Sequence, residues 1–133
     1  MTLDRRFFAV LALVAGVVFA AGYGVKPGRY LGSWQGSSAG GKLDITITGT
    51  EGQPLSAEVV FTYQDQRVTT KLREFKTAGA AIEIVYDYEL GGSLLRSALK
   101  GEVKDKKIAG TYAATVANTG DSVDQGTWEV SRE

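Results

Sequence analysis

From residue 30 to the end of the chain, apolar and polar residues alternate with a period of two, and no helix-length stretch of period 3.6 interrupts them. This pattern constrains the fold more than any other feature. A segment that alternates this way buries one clean face only as a strand in a sheet. Tyr30, Gly32 and Trp34 share a face of the first strand, and Leu43, Ile45 and Ile47 share a face of the second. Ala57, Val59, Phe61 and Tyr63 follow in the third, then Val68, Thr70 and Leu72 in the fourth. The fifth carries Ile82, Ile84, Tyr86 and Tyr88, and the sixth Ser97, Leu99, Gly101 and Val103. Ile108, Gly110, Tyr112, Ala114 and Val116 form the seventh, and Gly126, Trp128 and Val130 the eighth. Short turn-forming clusters separate them: residues 49–54, Gln64 to Gln66, Gly91-Gly92 and Lys104 to Lys107. Without helices there is no crossover to join parallel strands, so neighbouring strands are expected to be antiparallel.

The prediction is therefore an all-β domain: an eight-stranded antiparallel up-and-down barrel, or a two-sheet sandwich as the alternative. The barrel is preferred because closure removes exposed edges. Gly32-Ser33-Trp34 in the first strand and Gly126-Thr127-Trp128 in the last match one another. The match points to pairing of the two terminal strands.

The N-terminus reads differently. Arg5 and Arg6 precede an uncharged run that begins at Phe7, and Val18-Phe19-Ala20 puts small residues at the spacing a signal peptidase requires. The expectation is a signal peptide over residues 1–20, a lead-in over 21–29, and a β-barrel domain over 30–133 that is periplasmic or secreted. The alternative is an uncleaved anchor, because the uncharged run continues to Val25, about the length a bilayer needs. Membrane contact would then run through this segment alone.

Composition narrows the chemistry. The chain has no cysteine and no histidine, and its formal net charge is zero. Disulfides, thiol nucleophiles and Cys- or His-ligated metals are excluded, as are Ser-His-Asp and Cys-His mechanisms. A neutral chain offers no basic excess to neutralise phosphates, so no nucleic-acid partner is expected. No cofactor motif is present.

Gly32-Ser33-Trp34 on the first strand, followed by an eight-strand meander, resembles the calycins, the superfamily of lipocalins, fatty-acid-binding proteins and avidins. Gly110-Thr111-Tyr112 and Gly126-Thr127-Trp128 are similar to the Gly-Thr-aromatic strands of avidins. The resemblance implies a barrel that holds a small ligand. It also implies a basic residue packed on Trp34, with Arg132 or Arg29 as the candidate. The chain departs from lipocalins in lacking a disulfide and a C-terminal helix, and from avidins in having only two tryptophans.

The ring-bearing positions of the inward faces make the candidate ligand site: Trp34, Tyr63, Tyr86, Tyr88, Tyr112 and Trp128, with Phe61 beside them. They can line an apolar pocket with phenol groups to orient a small apolar or amphipathic molecule. The same rings can instead fill the lumen, since a barrel of eight strands has room for side chains or for one small ligand. Glu83, Asp87 and Glu89 alternate onto the opposite, solvent-facing side, where Lys71 and Arg73 can pair with them. Asp121 and Asp124 are read as turn formers in a polar loop, with calcium ligation the weaker alternative. The expected function is an exported non-enzymatic barrel that binds a small, partly apolar ligand. The alternative is a protein-interaction module, such as a hydrolase inhibitor, acting through its loops.

Overall fold

The structure, a computed structural model, describes residues 24–50 and 53–133; the expected signal peptide lies outside the described residues. Nine strands form one antiparallel sheet: β1 (Gly28–Gly36), β2 (Gly40–Thr48), β3 (Ser56–Tyr63), β4 (Gln66–Thr69), β5 (Lys71–Ala78), β6 (Ala81–Leu90), β7 (Ser93–Lys104), β8 (Lys107–Val116) and β9 (Ser122–Arg132). No described residue is helical. The spatial order is β4-β3-β2-β1-β9-β8-β7-β6-β5, an up-and-down meander curled into a half-barrel.

The alternation dictates which face turns inward. On β2, Leu43, Ile45 and Ile47 are buried while Lys42, Asp44 and Thr46 point away from the core. Two-residue turns link several strands. Gln64 and Asp65 both take positive φ (51° and 64°), the left-handed geometry that suits the right-handed twist of a hairpin. The first and last strands pair as expected, with Trp34 opposite Trp128.

Two expectations need correction. There are nine strands rather than eight, because the fourth expected strand breaks at Thr70. Its first half pairs with β3, placing Val68 opposite Phe61, and its second half pairs with β6, placing Leu72 opposite Tyr86. The Thr70 hydroxyl donates to the Val59 carbonyl at 2.6 Å, which ties down the break. No hydrogen-bonded ladder crosses this point, so the sheet has two edges, β4 and β5, adjacent in the chain. The seam of the half-barrel thus lies in the middle of the chain. A bulge at Arg73 follows at once, so the inward sequence jumps from Leu72 to Phe75. The physical reason is that a tightly curled sheet bends and twists its strands, and this strand divides its length between two neighbours.

The second correction concerns the basic residue assigned to Trp34. Arg132 sits opposite Tyr30, four residues along β9 from Trp128, and Arg29 pairs with Asp44 at 2.8 Å on the outer surface. Trp34 is surrounded by aromatic rings instead.

The half-barrel has two unlike ends. The end holding the start of β1 and the end of β9 is sealed. Ile47, Ile108 and Val130 are fully buried in that half, and Tyr30 is buried with its hydroxyl donating to the Lys26 carbonyl at 2.7 Å. Val25, from the expected lead-in, is buried in the same core. The folded unit therefore includes residues before 30. Ile45, Val59, Ile84 and Leu99 continue the apolar packing through the middle. The other end is the mouth, ringed by the β1–β2, β3–β4, β6–β7 and β8–β9 connections.

Candidate functional site

Bulky rings cannot interdigitate as closely as branched aliphatic chains, and the mouth half of the half-barrel is built from rings. They leave a cavity of about 170 Å³. All six residues expected at a ligand site line it: Trp34 from β1, Tyr63 from β3, Tyr86 and Tyr88 from β6, Tyr112 from β8 and Trp128 from β9. Phe61 joins them at the centre.

Trp34, Phe61, Tyr63, Tyr86, Tyr88 and Tyr112 form one connected wall. Trp34 stacks on Tyr63 with centroids 6.4 Å apart and planes 11° from parallel. Tyr112 and Phe61 meet Trp34 edge-on at 6.0 and 6.1 Å. Phe61 in turn meets Tyr88 edge-on at 5.0 Å, and Tyr88 lies 5.8 Å from Tyr86. Edge-to-face and offset geometries of this kind are the favourable ones.

The polar atoms of the wall fall into two groups. Both indole N–H groups are committed to backbone: Trp34 Nε1 donates to the Thr62 carbonyl and Trp128 Nε1 to the Thr111 carbonyl, each at 3.0 Å. These bonds lock the indoles in place. Trp128 also needs Gly101, because a Cβ there would approach the indole to 2.7 Å. The phenols are the second group. Tyr88 Oη and Ser97 Oγ are 2.9 Å apart in the buried interior. Burial pushes the Tyr86 phenol far above its ordinary pKa, with the neighbouring Tyr88 adding to the shift.

The residue that sequence reasoning misplaced is Asp124. It belongs to β9 and lines the cavity. Its Oδ2 accepts from Tyr112 Oη at 2.8 Å, and its Oδ1 accepts from the Ser37 hydroxyl at 2.7 Å and the Ser37 amide at 3.1 Å. Burial by itself would raise its pKa; the bonds from Ser37 and Tyr112 outweigh that and hold the carboxyl below the usual range. Burial, together with the bond to Asp124, raises the Tyr112 phenol. Gly36 makes the arrangement possible, since a Cβ there would collide with both Asp124 Oδ2 and Tyr112 Oη. One signal in the sequence does find Asp124. The parity of Val130, Trp128 and Gly126, extended one step of two residues back, lands on it. The polar composition of residues 118–124 hid that continuation.

Ser97 was on the inward face by its alternation but not singled out. Its value is visible only once Tyr88 is beside it. Asp121 stays exposed in the β8–β9 connection, so the two aspartates part company: one turns the loop and the other enters the cavity. The outward carboxylates lie away from the cavity. Asp87, expected to face solvent, is instead buried beneath the bidentate Arg96 fork, at 2.7 and 3.0 Å, with Arg73 farther off at 3.7 Å. Its main partner is thus on β7, not among the cations of β5 that the sequence nominated.

Comparison with protein families, with curated proteins and with solved structures returns no match for this chain.

Proposed function

We propose that this protein is an exported, non-enzymatic carrier that holds a small, partly apolar molecule in the aromatic cavity, in the manner the calycin resemblance implies. The observation that carries the reading is the convergence of seven rings from five strands on one space of about 170 Å³. An apolar cavity of about 150 Å³ admits benzene, so the space suits one ring or a short branched chain. Larger ligands would leave their remainder outside the mouth. Trp34 and Trp128 are natural reporters. Titration of the domain with benzyl alcohol, followed by the indole N–H signals of both tryptophans, should give saturable shifts. Absence of any shift at high millimolar ligand would remove the carrier reading.

One observation favours the interaction module as a second reading. Val123 at the mouth is half exposed, and Leu94 nearby is also exposed. A partner protein covering the β3–β4 and β8–β9 connections would bury Val123. Such a partner would protect residues 64–66 and 118–124 from amide exchange, whereas a small ligand would act on the rings.

A further inference from the structure

Among the described residues that line the cavity, Asp124 is the only charged one. The bonds it accepts come from neutral donors: the Ser37 hydroxyl, the Ser37 and Gln125 amides and the Tyr112 hydroxyl. Among the described residues no Lys or Arg lies within ion-pair distance of it. Elsewhere in the fold, partly or largely buried carboxylates do have cations: Asp87 has Arg96 and Asp44 has Arg29. Neutral donors orient a carboxylate and ease its desolvation, but they leave its charge uncancelled.

The setting of that charge is aromatic. Tyr112 holds the carboxylate and meets Trp34 edge-on, and Trp34 stacks on Tyr63. Ring faces attract cations electrostatically, most strongly when water is excluded. The rim of the mouth is acidic. The four connections at the mouth contain Asp65 and Asp121 and no Lys or Arg. The sealed end carries Lys26, Lys104, Lys106, Lys107 and Arg132, with Asp105 and Glu133 among them. Arg67 and Glu89, just inside the mouth-side strand ends, fall on the outward parity and offset one another. Asp65 and Asp121 thus favour positive charge at the mouth.

We infer that the cavity selects an organic cation, a ring-sized primary amine or quaternary ammonium, whose charged group sits on the Asp124 carboxylate against the faces of Trp34, Tyr63 and Tyr112. The inference rests on the carrier reading and names the ligand class for it. The apolar part of the ligand enters between Phe61, Tyr86 and Tyr88, and the ammonium remains at the rim of the cavity, where Asp124 lies.

Three probes of nearly equal shape test this at neutral pH: benzylamine as its cation, benzyl alcohol, and benzoate. Binding is followed on the isotope-labelled domain through the Trp34 and Trp128 indole signals. Benzylammonium should bind at least tenfold more tightly than benzyl alcohol, about 1.4 kcal/mol, and benzoate more weakly than either. Asp124→Asn should abolish the preference, bringing the affinity for benzylammonium down to that for benzyl alcohol measured on the same variant. Equal affinities for benzylammonium and benzyl alcohol in the wild type would overturn the cation assignment and leave the carrier reading standing. No binding of any probe would overturn both. Should Asp124→Asn fail to fold, the wild-type ranking still decides the charge preference. Nuclear Overhauser contacts from the benzylammonium methylene then locate the charge. Contacts to Tyr112 and the Asp124 side chain support the assignment, and contacts only to Leu99 and Tyr86 overturn it.

Discussion

A tyrosine hydroxyl and a serine hydroxyl 2.9 Å apart, both almost without solvent contact, show how individual side chains divide the work in this molecule. Tyr88→Phe keeps the ring but removes the hydroxyl 2.9 Å from Ser97 Oγ, leaving the Tyr86 phenol beside the serine. The expected cost is about 1–3 kcal/mol, read from chemical denaturation. The two tryptophans, similar in sequence context, differ in burial. Trp128 is 3% exposed and Trp34 is half-buried. Trp128→Ala should therefore cost about 3–5 kcal/mol, a large part of the roughly 5–15 kcal/mol that holds a domain together, and Trp34→Ala should cost less. An unchanged denaturation midpoint for Trp128→Ala would contradict the burial. Gly36→Ala tests the mouth at the same scale. It forces Asp124 and Tyr112 off β1, so the domain should lose stability, with the largest spectral changes at Ser37 and Tyr112.

Among the strands, stability should follow the seam. β1, β9, β8 and β7 are each flanked by two hydrogen-bonded neighbours, whereas β4 and β5 are edges. Amide exchange should be fastest in β4 and β5 and slowest in β1 and β9. Thr70→Val removes the hydroxyl bond to Val59 and should speed exchange in β4 while leaving β9 unchanged. Two strands carry the carboxyls that set the acid response. The Arg96 fork holds the Asp87 carboxyl below its usual range, and the bonds from Ser37 and Tyr112 do the same for Asp124. An unfolded aspartate titrates near about 3.9. Each group thus contributes stability that is complete above about pH 5 and is lost as the pH falls through the depressed folded value. With no histidine in the chain, side-chain titration adds little between about pH 5 and 8. Asp87→Asn should lower stability at neutral pH and flatten part of the acid limb. An acid limb unchanged by the substitution would mean that the Arg96 pair contributes nothing in solution.

For the molecule as a whole, the absence of cysteine leaves the apolar core, including Val25 at the sealed end, as the main support. A domain that begins at Arg29 should unfold at a lower temperature than one that begins at Gly24, because Val25 and the Lys26 carbonyl that accepts from Tyr30 are lost. The sequence by itself determined the meander, its inward faces and the pairing of its first and last strands. The reason is that period-two alternation with turn clusters is local information that survives into the fold. It also picked out all seven ring positions that line the cavity, Phe61 among them, since each is simply a large aromatic on an inward parity. Only the tertiary structure decided the rest. The break at Thr70 and the bulge at Arg73 arise from how tightly the sheet must curl, which no single strand encodes. Arg132 misses Trp34 because register along β9 carries it to the sealed end. Asp124 enters the cavity because strand β9 begins earlier than its polar residues advertise, and because Gly36 across the sheet has no side chain to keep it out.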